Sequence, residues 1–225
     1  MAIGLFGGTF DPIHFGHMRL ATEVAEVFRL EKVVFIPAGL PYHRGRDAHA
    51  TGEQRLTMVK LATQRDARFD VDERELRRDG PTYSFDTLSE IRKERGADVP
   101  ILFLTGSDTF RKIDTWHRWT ELFDLAHFVV AVRGGDAEWE SKGPGTFPRD
   151  AWPRMTLDPR ELVGTPAGKV MTYVMTPLAI SSTSIRTIAG EGGSIRYLTP
   201  DPVVEYVRTH KLYAPVRAGA EANSR

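Results

Sequence analysis

The chain has 225 residues, 41% of them hydrophobic and 27% charged, the balance of an ordinary soluble globular protein with a sizeable core. Lys+Arg and Asp+Glu are equal at 30 each and the pI is near 7.1, so no global charge draws the chain to nucleic acid or to a membrane, and anion binding has to be local. There is no cysteine, which excludes disulfides and thiolate chemistry. No apolar run reaches membrane-spanning length and no basic leader precedes the first one, so the expected location is cytoplasmic.

Ile3 to Phe6 is a short apolar run of strand type, ended by Gly7-Gly8. Two glycines leave the backbone bare and let a ligand approach it. From Met18 the period changes: Met18, Ala21, Val24, Ala25 and Phe28 recur at helical spacing. Strand, glycine turn and helix start together make a site for an anion, because the helix N-terminus presents unpaired N–H groups and a positive dipole end. His14 and His17 are three residues apart at that start and predict two imidazoles on one face. The fingerprints G-x-G-x-x-G, G-x-x-x-x-G-K-[ST] and H-E-x-x-H are absent.

Lys32 to Ile36 reads as a second buried strand, parallel to the first across a right-handed crossover. Pro37-Ala38 follows where a dinucleotide-binding dehydrogenase would carry an acidic residue. The loop after it holds Gly39, His43, Arg44 and Arg46, a basic segment that is either simply solvated or a lid bringing charge to a polyphosphate. Thr51-x-x-Gln54 is a capping box before a helix with Leu56, Val59 and Ala62 on its apolar side. Phe69 to Asp72 alternates like a half-buried strand. Ser84 is placed to cap a helix through Leu88 and Ile91 that stops at Gly96. Ile101 to Leu104 is a central strand running into Thr105-Gly106-Ser107-Asp108, with Asp108 positioned to accept from a ribose hydroxyl or to cap the next helix. Of the nearby tryptophans, Trp116 is either a core plug or a stacking platform, and Trp119 reads as core-facing. His127 to Val132 is another buried strand, closed by Arg133; residues 134–168 read as an irregular excursion with short helices. Val170 to Met175 is the last strand. Hydroxyls at Ser182 and Thr183 with Arg186 one turn later form a second anion cradle, or one of the two hydroxyls simply caps the helix. Asp201 to Lys211 is a final helix.

Gly7-Gly8-Thr9-Phe10-Asp11-Pro12-Ile13-His14-Phe15-Gly16-His17 resembles the signature of the H-x-G-H nucleotidyltransferases, and in its longer form that of the bacterial nicotinate-nucleotide adenylyltransferases. Ile180-Ser181-Ser182-Thr183-Ser184-Ile185-Arg186 resembles the family's second hallmark, I-S-x-T-x-I-R; Pro41-x-His43-Arg44 and the segment Thr82, Tyr83, Ser84 and Thr87 match two further patterns. The resemblance spans about residues 2–213. It implies an α/β, Rossmann-like doubly wound, mainly parallel sheet with helices on both faces, in one nucleotidyltransferase domain over 1–213 followed by a disordered tail at 214–225.

The implied reaction joins ATP and nicotinate mononucleotide into the deamido dinucleotide and pyrophosphate, as a step of NAD biosynthesis. The mononucleotide phosphate is the nucleophile, so neither a general base nor a covalent intermediate is required. The resemblance places His14, His17 and Arg186 at the transferring phosphates. It assigns Gly7, Gly8, Thr9, Gly106, Asp108, Arg133, Ser182 and Thr183 with them to ATP. Phe10, Gly39, His43, Arg44, Ser84, Thr87, Thr105 and Trp116 go to the mononucleotide, Trp116 as the surface for the pyridine ring. No carboxylate cluster is shaped for a resident metal, and Mg²⁺ is expected to arrive on ATP. The expected partners are these two small molecules; a homo-oligomer is compatible with the sequence. Three rival readings remain open: a sibling transferase for nicotinamide mononucleotide, phosphopantetheine or a cytidylyl acceptor; a non-catalytic nucleotide-binding module; and a metal site built from Asp11, His14 and His17.

Overall fold

The first apolar run forms strand β1 (Ile3–Gly8) and leads into α1 (Phe15–Val27), then β2 (Lys32–Pro37) and the two-residue β3 (Leu40–Pro41). After α2 (Gly52–Thr63) come β4 (Phe69–Val71), β5 (Pro81–Thr82) and α3 (Ser84–Arg95). The chain returns through β6 (Ile101–Gly106), the short α4 (Ser107–Phe110) and α5 (Leu122–Leu125), β7 (His127–Val132), α6 (Ala137–Lys142), α7 (Pro159–Gly164) and β8 (Val170–Val174), and ends with α8 (Ser182–Gly190) and α9 (Asp201–Thr209). This computed structural model describes residues 1–41, 49–134 and 137–214. His43 and Arg44, and the tail from 215 on, lie outside the described residues. No helix among those described is long and apolar enough to cross a membrane.

Among the described residues, six strands form one parallel sheet in the order β4-β2-β1-β6-β7-β8. β1 lies between β2 and β6, with Ile3 opposite both Lys32 and Ile101. The strand order therefore reverses at β1/β6, and crossovers on either side of that point leave a crevice at the carboxyl ends of the two strands. β3 and β5 make a separate two-residue ladder.

Both faces of the sheet are buried, which explains the continuous apolar runs. Phe6, Phe35, Leu102, Leu104 and Val129 face α1, α2, α8 and α9, contacting Leu20, Val24, Met58, Ile185 and Val203. Leu5, Ile36, Phe103, Phe128 and Val130 face α3 to α5, against Leu88, Ile91, Phe110, Leu122 and Phe123. This is the doubly wound arrangement expected from the sequence. The excursion over residues 134–168 contains α6, α7 and two 3₁₀ turns, as its composition suggested. Its far end is tied to β7 by His127, fully buried, whose Nδ1 accepts from the Lys169 N–H at 3.0 Å and whose Nε2 lies 2.7 Å from the Thr165 carbonyl.

Helix starts differ from expectation by one or two residues. Ser84 is the first residue of α3, and Tyr83 takes the cap position without a side-chain cap. α8 is capped by Ser181 in a reciprocal box with Ser184, which leaves Ser182 and Thr183 in the first turn. α4 begins at Ser107 with Gly106 as cap, so Asp108 is its second residue. The capping box Thr51–Gln54 is present, but α2 buries Arg55, Met58, Val59 and Thr63, whereas Leu56 is only half-buried. Arg55 is among the residues on that inner face.

Candidate active site

The glycine turn at the end of β1 is shaped by what packs on it. A Cβ on Gly8 would stand 2.9 Å from the Phe10 ring, and one on Gly7 3.1 Å from Phe103. Phe10 has a left-handed φ of 50°, the peptide Asp11–Pro12 is cis, and the Phe10 ring is buried among Phe6, Phe35 and His17. Phe10, expected at the mononucleotide, turns its ring inward at this point. That ring has only 2% exposure and serves as the floor on which His17 stands, at 5.1 Å between centroids.

His14 is the N-cap of α1 and His17 its third helical residue. The His14 Nδ1 accepts from the Gly16 N–H at 3.1 Å, and the His14 N–H donates to His17 Nδ1 at 3.3 Å. The two rings stack at 3.7 Å and 26°. Because both Nδ1 atoms are acceptors, each neutral ring carries its hydrogen on Nε2. Burial, then the field of Arg133, pulls His14 down to about 4. Burial, His14 and Arg133 together hold His17 well below the ordinary imidazole range. The pair is thus a set of two uncharged donors. Gly16 is required beside it, since a Cβ there would lie 3.0 Å from His14 Cε1 and Nδ1. Arg133, at the carboxyl end of β7, is exposed and close enough to act on both rings.

The segment before His14 is held from the distant end of the chain. The Asp11 carbonyl accepts from Arg186 Nη1 at 2.7 Å, the Pro12 carbonyl from Ser182 Oγ at 2.9 Å and the Ile13 carbonyl from Thr199 Oγ1 at 2.7 Å. The buried Asp11 carboxylate takes the His49 and Ala50 N–H groups at 2.7 and 3.3 Å and the Tyr213 hydroxyl at 2.7 Å. Arg186 also reaches Thr183 Oγ1 at 3.2 Å, and Thr183 is exposed. The two sequence hallmarks therefore form one site. The metal reading of Asp11, His14 and His17 does not assemble, because the carboxylate and both Nδ1 atoms are already engaged; among the described residues no three His, Cys, Asp or Glu side chains group to hold an ion.

On the other side of the switch point, Thr105 is buried at the end of β6, Gly106 follows, and the Asp108 carboxylate is exposed, with Oδ1 only 2.5 Å from where a Gly106 Cβ would be. Trp116 is half-buried, edge-on to Phe103 at 6.3 Å, while Trp119 packs on Phe123 as expected. Ser84 is half-buried at the start of α3. The Gly39 N–H, expected to face substrate, points to Glu75 Oε2 at 3.4 Å. Thr87, expected at the mononucleotide, is 1% exposed; its hydroxyl donates to Glu75 Oε1 at 2.8 Å and accepts from Arg78 Nη1 at 2.7 Å. One buried carboxylate, Glu75, thus accepts from both groups.

Arg55, Glu75, Thr199 and Tyr213 carried no recognisable signal in the sequence. Arg55 is 3% exposed, and its guanidinium donates to the carbonyls of Thr9 at 2.8 Å and Ala38 at 2.7 Å. Burial lowers its pKa, opposed by Asp11, Tyr213 and Glu75. It ties the loop after β1 to the loop after β2.

A family described as Cytidylyltransferase-like matches residues 5–188. A protein of Dechloromonas aromatica (strain RCB) described as "Probable nicotinate-nucleotide adenylyltransferase" is 44% identical over 211 residues, covering 94% of this chain and 97% of the relative. One of Methylococcus capsulatus (strain ATCC 33009 / NCIMB 11132 / Bath), with the same description, is 42% identical over 213 residues, 94% and 99% of the two chains. The solved structure of Plasmodium falciparum nicotinic acid mononucleotide adenylyltransferase complexed with NaAD superposes with a TM-score of 0.67 over 94% of this chain and 97% of that one, at 17% identity, a likeness of fold. With a stacked histidine pair at the strand-order switch and relatives this similar over nearly the whole length, the chain belongs to the nicotinate-nucleotide adenylyltransferases of the cytidylyltransferase-like family.

Proposed function

We propose that the chain transfers the adenylyl group of ATP to nicotinate mononucleotide, releasing pyrophosphate. The observation that carries this reading is the histidine pair: two stacked imidazoles, both Nδ1 atoms satisfied by main chain, leaving two Nε2–H donors at a helix start. A mononucleotide phosphate is mostly dianionic at neutral pH, with a second pKa of about 6, and needs no base. One of its oxygens forms a bond to the α-phosphorus of ATP while the bond from that phosphorus to the β-phosphate oxygen breaks. Pyrophosphate leaves with the electron pair.

Such a displacement rests on alignment and charge stabilisation. Neutral Nε2–H donors cost little to bring into a buried site and strengthen as charge builds on the transferring group. Arg133, Thr183 and Arg186 supply positive charge and hydroxyl contacts for the triphosphate. Gly7, Gly8 and Thr9 supply backbone. Asp108 is assigned to a ribose hydroxyl and Trp116 to the pyridine ring. Mg²⁺ is assigned to ATP as its counter-ion, held by phosphate oxygens and water.

The test is pyrophosphate release from ATP and Mg²⁺ with a panel of acceptors: nicotinate mononucleotide, nicotinamide mononucleotide and phosphopantetheine. Turnover confined to another acceptor would transfer the reading to a sibling enzyme. No turnover with any, alongside measurable ATP binding, would make the chain a nucleotide-binding module.

A further inference from the structure

We propose that Thr199 is a positioning residue for the histidine pair, acting through the peptide plane between Ile13 and His14; the proposal rests on the adenylyl-transfer reading above. The carbonyl of that peptide accepts from Thr199 Oγ1 at 2.7 Å. Its N–H, on the far edge of the same plane, donates to His17 Nδ1 at 3.3 Å. A peptide group is rigid, so fixing its oxygen fixes the direction of its N–H. That N–H is what keeps the hydrogen of the His17 ring on Nε2 and aims the ring. Thr199 therefore sets the donor geometry of a residue it does not touch.

Neighbouring contacts support this assignment. The Leu198 carbonyl accepts from the Phe15 N–H at 3.0 Å, so residues 198 and 199 hold the main chain on both sides of His14. Thr199 is 1% exposed, which excludes contact with substrate. A hydroxyl is not needed merely to fill the space, because valine has nearly the same shape. Its loss would leave the Ile13 carbonyl without this donor and free the peptide to rotate. The Tyr213 hydroxyl holds Asp11 two residues earlier, but through a side chain, and has no shared plane with either histidine.

The experiment compares T199V, T199S and T199A with wild type, measuring kcat, both KM values, thermal midpoint and the ¹H–¹⁵N ring resonances of His17. T199V is expected to lose about tenfold in kcat, the order of one hydrogen bond, with both KM values within about twofold. Its His17 resonances should move toward tautomer exchange while those of His127 stay put. T199S, which restores the hydroxyl but not the volume, should recover both readouts. If T199V is too unstable to purify, T199A carries the same readouts. A fall in thermal midpoint with kcat and the His17 tautomer unchanged would overturn the proposal, as would a T199S no better than T199V. Inactive wild type with a shifted His17 ring in T199V would instead overturn the functional reading and leave the positioning role standing.

Discussion

Arg186 donates from Nη1 to the carbonyl oxygen of Asp11 at 2.7 Å, although the two are 175 positions apart in sequence. The guanidinium thus has two duties, since its other nitrogen lies 3.2 Å from the exposed Thr183 hydroxyl on the proposed triphosphate side. Arg186→Ala should raise KM for ATP more than KM for the mononucleotide and also lower kcat, because the Asp11 carbonyl in the loop before His14 loses its guanidinium donor. Steady-state kinetics with each substrate varied in turn checks this. A rise confined to the mononucleotide KM would put the arginine on the other substrate.

His17→Ala should lower kcat by about 10²–10³, the cost of losing one preorganised donor. The ring also covers Phe10 and Phe6 and accepts the His14 N–H, so a modest drop in thermal midpoint is expected with it. Circular dichroism should show the fold intact. A kcat within a few-fold of wild type would remove His17 from the catalytic set.

Arg55→Met should destabilise the fold by on the order of 2–4 kcal/mol, because the carbonyls of Thr9 and Ala38, just past the ends of β1 and β2, lose a charged donor. Urea unfolding measures it directly. An unchanged midpoint would mean that water replaces the guanidinium at no cost.

Protons should destabilise this protein through its imidazoles. His14 sits at about 4 in the fold against 6.5 unfolded, and His127 is also lowered, by burial first. Between those values the unfolded chain binds more protons, so this stability is complete above pH 6.5 and is lost as pH falls toward 4. For His14 alone the loss is about 3 kcal/mol. His14→Asn keeps an acceptor at the helix cap but cannot titrate. Its unfolding free energy should therefore fall less steeply than that of wild type over this window. Parallel slopes would show that His14 is already charged in the fold.

Nicotinate mononucleotide should be preferred over the nicotinamide form by more than tenfold in kcat/KM. A carboxylate only accepts, an amide also donates, and a wall of main-chain N–H groups favours the former. The candidate donors are those around Thr105 to Thr109, beside Trp116; the Gly39 N–H does not count, being directed at Glu75. One charge-assisted bond of about 1.5–3 kcal/mol suffices. Equal kcat/KM values would mean that the ring edge is read by other groups.

The parallel sheet was legible from the sequence because its strands are buried on both faces and read as unbroken apolar runs. The two hallmarks were legible because glycines, histidines and a hydroxyl–arginine cluster have few structural substitutes. Arg55 was not, since nothing local distinguishes a buried arginine from a solvated one on the same helix. For Phe10 and Thr87 the motif resemblance gives an expectation of ligand contact but does not show that their own side chains are enclosed by Phe35 and Glu75. Which Nδ1 accepts from which N–H depends on one cap residue, and register at that precision does not show in periodicity.

The main-chain bonds before His14 come from residues 182 to 199, and Asp11 takes a further one from Tyr213. During synthesis, a nascent chain that has emerged as far as residue 180 holds every strand of the main sheet but none of these donors. Contacts of such long sequence separation form late and slowly. The growing polypeptide should therefore be able to fold its sheet on the ribosome while remaining catalytically silent, acquiring a working histidine pair only once its last two helices have docked.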